Sequence, residues 1–428
     1  MDESTGELIR QARRRAGLRL EDLGARTGWS ASQVSRYERG VTPLTDVRTI
    51  RRFAEALHIP PHALGLSDAA GPATEPPADG QRGGGELRRR EMLASLAATA
   101  AAASTVRVGT YPREGSAGRD LGSVVVARIR DAMLGLHRPG TDPTADVLRD
   151  RLAEAEAHFA ASRYSELADV MPRLIVAGQA LGTDMTAVGA IAQIYTLATR
   201  ILIKLDDQQV AWMAADRART YAAGQTPLVA GEATRWLAVL ARKAGAYPQA
   251  ISIALEAADD PGLRGDSPEL LAERGLLIQS AAYTAAKAGD GDRMREWTDE
   301  TARIAALLGG VQLRSHGGGL SRASVELHRI SAEYSIGEPG AALAAAKRIP
   351  TTALPTTERR SRYWTDVARA NALIGRRDDS IRAILRAEHI APEEIHARPA
   401  IRDLVTGLLV SGRTAPELWG LAARCGIR

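Results

Sequence analysis

Apolar residues along this chain recur at spacings of three and four, and the pattern is broken every fifteen to twenty residues by Gly, Pro or Asp clusters. That period predicts helices joined by short turns. Near the N-terminus, Leu8, Ile9, Ala12 and Ala16 form one apolar stripe. Leu20, Leu23 and Gly24 form a second, ended by Gly28, a natural left-handed helix terminator. Trp29 and Ser30 make a turn, with Ser30 placed to cap a third helix, Ala31–Arg39, whose Val34 and Tyr37 face inward. Gly40 ends that helix, and Asp46 starts a fourth carrying Val47, Ile50, Phe53, Ala54 and Leu57. On propensity alone, Gly24 costs about 1 kcal/mol relative to alanine in mid-helix.

Residues 67–86, Ser67–Glu86, are rich in Pro and Gly and hold no large apolar side chain, a composition that predicts a flexible linker. From Leu87 onward the helical period returns. Val124–Val126 is the best strand candidate, yet it runs on into the helix-like VVVARIRDAMLGL. The helical part repeats itself loosely. In Ser361–Pro392, Trp364 precedes the small Ala368 by four residues, Gly375 makes a turn, and Ala387 and Pro392 close the unit. Trp236–Pro261 places Ala238, Gly245 and Ala257 at the mutual spacing of Ala368, Gly375 and Ala387, with Tyr247 and Ala250 between them, and weaker copies centre on turns at Ser162, Gly289 and Gly337. These offsets resemble the tetratricopeptide pattern, with irregular spacing between copies; the alternative is a generic alanine-rich helical bundle. The fold expected is all-α: a small helical domain at 1–66, a linker at 67–86 and a tetratricopeptide-like solenoid at 87–428.

The stretch Glu7–Leu64 resembles the phage-repressor (Xre/Cro) helix-turn-helix family in its turn, in the run from Ser32 to Gly40 (SQVSRYERG) and in the spacing of five short helices. The resemblance implies that the third helix enters the major groove, where each base pair presents a distinct donor and acceptor pattern. It assigns base contacts to Ala31, Ser32, Gln33 and Arg36, and phosphate contacts to Arg39, Thr42 and Thr45. The second helix opens with Arg19-Leu20 where the family carries Thr/Ser-Gln. An Xre-type head on a tetratricopeptide-like body is also similar to peptide-responsive regulators and to large actinobacterial regulators. The implied partners are a double-stranded DNA operator, a second copy of the chain in a homodimer, and a small-molecule, peptide or protein effector. Peptide-responsive members clamp their peptide with asparagines, but Asn371 is the only asparagine here. Trp236, Tyr283, Trp364 and Asn371 are the candidate effector-binding residues on the inner face, with packing as the favoured alternative role for each. A rival reading makes the protein an interaction scaffold whose head docks partners instead of DNA.

Composition narrows the rest. Only four of the 56 basic residues are lysine, a bias that, with the abundant alanine, reflects a GC-rich genome and not a function. The net charge of +5 is modest for 428 residues. Cys425 is the sole cysteine, which leaves no disulfide framework or cysteine zinc site within one chain and fits a reducing cytoplasm. No apolar run approaches the roughly 20 residues needed to span a bilayer. Arg88-Arg89-Arg90 before an alanine-rich stretch superficially resembles an export signal but lies behind a domain, so it reads as the start of a helix. His316-Gly317-Gly318-Gly319 lacks the strands and the G-x-S-x-G turn of a hydrolase. Neither catalytic residues, a cofactor nor a metal site is expected.

Overall fold

The computed structural model describes residues 5–38, 47–57, 59, 121–137, 143–182, 184–309, 319–410 and 415–427. The chain divides into two compact units, Met1–Gly115 and Ser116–Arg428. Among the described residues there are twenty α-helices and no strand. The linker expected at Ser67–Glu86, the helix expected after Arg90 and residues 310–318 lie outside the described residues.

The N-terminal unit contains α1 (Thr5–Arg15), α2 (Leu20–Thr27), α3 (Ala31–Glu38) and α4 (Val47–Leu57). Ile9, Leu23, Val34, Ile50, Phe53 and Ala54 make its buried core, one residue from each of α1, α2 and α3 and three from α4. Trp29, Tyr37 and Phe53 pack edge-on or tilted around it, with ring centroids 4.8–5.6 Å apart. Such aromatic contacts add to area burial and hold the turn after α2 against α4. Ala16, expected on the apolar stripe, is exposed because α1 stops at Arg15. The fifth helix suggested by the resemblance lies outside the described residues.

The second unit begins with α5 (Leu121–Met133), which absorbs Val124–Val126. It continues through α6 (Ala145–Ala160), α7 (Tyr164–Ala180), α8 (Val188–Lys204), α9 (Gln208–Ala222), α10 (Pro227–Lys243) and α11 (Tyr247–Ala258). Next come α12 (Pro268–Ala288), α13 (Gly291–Leu307), α14 (Arg322–Ser335), α15 (Pro339–Lys347), α16 (Thr357–Leu373) and α17 (Arg377–Ile390). Three short helices end it: α18 (Pro392–Ala397), α19 (Pro399–Val410) and α20 (Pro416–Arg424). Consecutive helices pack as hairpins, and the first helices of successive hairpins, α8, α10, α12, α14 and α16, also pack on one another in series. The hairpin turns sit at Ser162, Gly245, Gly289, Gly337 and Gly375, each with positive φ. Small residues make the close helix contacts: Ala238, Ala250, Ala368 and Ala387 are fully buried.

The array also closes on itself. Glu394 of α18 is 1% exposed and takes bonds from Tyr164 Oη at 2.9 Å, Lys204 Nζ at 2.6 Å and Arg398 Nη1 at 2.9 Å. Its neighbour Glu393 accepts from the Ser165 amide and hydroxyl at 2.9 and 2.8 Å. Lys204 also reaches Glu358 of α16 at 2.8 Å. The first and last hairpins are thereby joined through α7, α8 and α18. Burial pushes the Glu394 carboxyl up, but Lys204 and Arg398 outweigh it and hold it below its ordinary value. No helix among the described residues is long and apolar enough to cross a membrane.

Candidate functional site

The local chemistry that builds the α2–α3 corner is the chemistry expected of it. Gly28 takes φ 78°, and its amide closes onto Gly24 O at 2.8 Å. Ser30 Oγ accepts from the Gln33 amide at 3.2 Å and caps α3. At the start of α2, the Asp22 carboxylate accepts from the Arg19 amide at 2.8 Å, anchoring the first turn. Gly24 is not a propensity defect. A Cβ there would lie 2.4 Å from Trp29 O, so the corner closes only because the side chain is missing.

The orientation of α3 follows from which of its residues are buried. Val34 and Glu38 point inward, Ser32 is exposed, and Ala31, Gln33, Ser35 and Arg36 are half-buried. Arg39, Thr42 and Thr45 lie outside the described residues. The C-terminal end of α3 is held by a pair that local sequence reasoning missed. Arg13 of α1 donates Nη2 to Glu38 Oε2 at 2.8 Å and Nε to Glu38 Oε1, and its Nη1 reaches Leu18 O at 2.9 Å. Glu38 is 4% exposed, so this forked bond is desolvated and geometrically demanding. It raises the Arg13 pKa, chiefly through the hydrogen bond to Glu38. Gly6 lets α1 approach α3 at the same place, since a Cβ on it would sit 2.4 Å from Tyr37 O. Nothing in the periodicity marks Arg13 and Glu38 as partners, because they are far apart in sequence.

In the second unit, a cavity of about 660 Å³ opens on the inner face formed by α8, α10, α12, α14 and α16. Ten arginines and lysines line it against three carboxylates, Glu232, Glu358 and Asp366. Two of those carboxylates are shared. Glu358 serves Lys204 at 2.8 Å and Arg359 at 3.5 Å, and Asp366 lies 3.6 Å from Arg362 and 3.8 Å from Arg369. Arg242 and Lys287 make no ion pair among the described residues. They lie 4.6 and 5.6 Å from the Tyr283 ring centroid instead. Burial pushes the Tyr283 phenol up, yet Lys287 and Arg242 together bring it down to about 8. Burial and the adjacent Arg362 and Arg359 push His328 well below its ordinary pKa, so it is neutral.

Of the four sequence candidates for an effector site, Trp236 and Tyr283 line this cavity. Arg235 and Arg200 lie 4.8 and 5.8 Å from the Trp236 ring centroid. Trp364 packs against two apolar clusters, and Asn371 is 5% exposed and donates to Val367 O at 3.0 Å. Neither lines the cavity; both pack on the other side of α16. The residues that do face it, Arg359, Arg362, Asp366 and Arg369, fall at helical spacing on one face. That polar stripe was the available signal.

A second cavity, of about 420 Å³, adjoins the first and shares Glu232, Leu276 and Gly319 with it. Its charge is opposite: Glu156, Glu232, Glu269 and Glu273 against Arg149. Among the described residues, no group of three or more His, Cys, Asp or Glu is arranged to hold a metal ion.

No curated protein matches the chain. Residues 5–65 match the family model described as a helix-turn-helix domain, so the chain carries at its N-terminus a helix-turn-helix domain, which points to DNA-binding regulation.

Proposed function

We propose that the protein is a sequence-specific transcription regulator of the Xre/Cro type that binds its operator as a homodimer. The observation that carries this reading is the helix-turn-helix match over residues 5–65, together with a third helix that buries Val34 and Glu38 and leaves Ser32 exposed. One such head contacts few bases, so selectivity calls for two half-sites about one helical turn apart. Ser32 and Arg36, four residues apart, share a face of α3, and Arg36 suits bidentate bonding to guanine. The helical body is the dimerising and sensing part, of tetratricopeptide-like and actinobacterial type, and the role is regulation in the cytoplasm rather than catalysis.

Selection of genomic fragments bound by the full-length protein tests this. It should return one enriched, two-fold symmetric motif, and binding should weaken steeply with salt as counterions are released. Arg36→Ala should lose about 1–3 kcal/mol at a single base position. No enriched motif, with one stoichiometric protein partner recovered instead, would replace this reading with that of an interaction scaffold.

A further inference from the structure

We propose that the cationic cavity of the second unit binds a small polyanion: a molecule of nucleotide size with at least two phosphate or carboxylate charges and a hydrogen-bonding edge that engages Gln279. This rests on reading the helical body as a sensor and names the class of effector it takes.

Three independent observations converge. The first is charge. Arginines and lysines from α8, α10, α12, α16 and the segment after α18 surround one space; Arg200, Arg235, Lys243 and Arg398 pair with Glu156, Glu273, Asp206 and Glu394 behind its wall, which still leaves more cations than carboxylates around it. Glu358 and Asp366 are each divided between two cations, while Arg242 faces the Tyr283 ring and Lys287 the Tyr283 and Tyr334 rings, with no carboxylate paired to either among the described residues. Like charges held together away from bulk water repel strongly unless a counter-charge joins them.

The second is an orphaned amide. Gln279 lines the cavity, is 3% exposed, and neither its Nε2 nor its Oε1 has a hydrogen-bond partner among the described residues. The neighbouring Ser280 hydroxyl is 7% exposed and in the same condition. Buried polar groups are almost always satisfied, so a donor and an acceptor left open side by side in a cavity wall are fitted to a ligand.

The third is size and surroundings. About 660 Å³ falls within the range of small-molecule sites and is too small for duplex nucleic acid. The Trp236 indole Nε1 is a further buried donor without a partner among the described residues. The adjoining cavity carries Glu156, Glu232, Glu269 and Glu273 against Arg149, three of them paired with Arg200 or Arg235, so it offers an anion less positive charge than the first cavity does.

The test uses the full-length protein without DNA. Isothermal titration and thermal melting are run with ATP, inorganic pyrophosphate, citrate and, as the neutral control, adenosine. At least one polyanion should bind and raise the melting temperature, while adenosine does neither. Response to ATP and pyrophosphate alone assigns the ligand to phosphates, and response to citrate alone assigns it to carboxylates. Arg242→Ala with Lys287→Ala should weaken binding by at least about tenfold. Arg242→Lys with Lys287→Arg keeps both charges and should restore it, which separates lost charge from lost fold. Gln279→Leu should weaken ATP more than pyrophosphate. The proposal is overturned if no polyanion binds below millimolar concentration, if adenosine binds as well as ATP, or if the double alanine variant binds like the wild type. Because no DNA is present, failure here leaves operator binding untouched, and failure of operator binding leaves this result standing.

Discussion

Replacing Gly24 by alanine sets two physical effects against each other. Helix propensity favours alanine by about 1 kcal/mol. Against it, the added Cβ would start 2.4 Å from Trp29 O, where contacts below 3.0 Å essentially never occur, so the corner must open by about 0.6 Å. The obstacle is backbone and is pinned from several directions. Gly24 O already accepts from the Gly28 and Trp29 amides at 2.8 and 3.0 Å, and the Trp29 ring is wedged against Tyr37 and Phe53. Overpacking of this kind costs about 1–3 kcal/mol, so the net effect is a loss of up to about 2 kcal/mol, with α3 displaced. Urea denaturation of residues 1–66, which contain the apolar cluster of α1–α4 and Trp29 as their sole tryptophan, reads this directly by fluorescence. DNA affinity should fall in parallel. An alanine variant as stable as the wild type, or more so, would refute the close-approach argument and leave propensity as the governing effect.

Arg13→Met strands the buried Glu38 carboxylate and should cost about 3–5 kcal/mol in the same assay, whereas Arg13→Met with Glu38→Leu should cost less; equal losses would mean the pair is not desolvated. Burial pushes the Glu388 carboxyl up, but hydrogen bonds from Arg424 and His396 outweigh it and lower it from 4.5 to about 2. Its folded pKa is thus depressed, so the stability it contributes is complete above about pH 4.5 and lost as pH falls toward 2. The melting-temperature gap between wild type and Arg424→Ala should accordingly narrow over that interval, and a gap independent of pH would contradict it. Tyr283, held at about 8, should appear in ultraviolet titration as one early phenolate that vanishes in Tyr283→Phe. Its ionisation adds negative charge beside Arg242 and Lys287, so polyanion affinity should drop above pH 8.

The helix-turn-helix corner was legible because its determinants are local. A left-handed Gly28, a capping Ser30 and apolar side chains at helical spacing act within a few residues of one another. The same holds for the hairpin turns at Gly245, Gly289, Gly337 and Gly375, where a glycine ends one helix and starts the next.

What each helix packs against could not be read this way. Propensity counts Gly24 only as a cost, but Trp29 O lies across from it, and Arg13 and Glu38 meet only because α1 lies along α3. On α16, the bulky Trp364 and the lone Asn371 stand out by residue type, yet each sits two positions from a cavity residue, about 200° around the helix, and is turned into packing. Periodicity determines that residues such as Arg359, Arg362, Asp366 and Arg369 share a face. Only the tertiary structure decides that this face meets those of α8, α10 and α12 around one space, because charges from distant segments add where the chain brings them together and not where they lie in sequence.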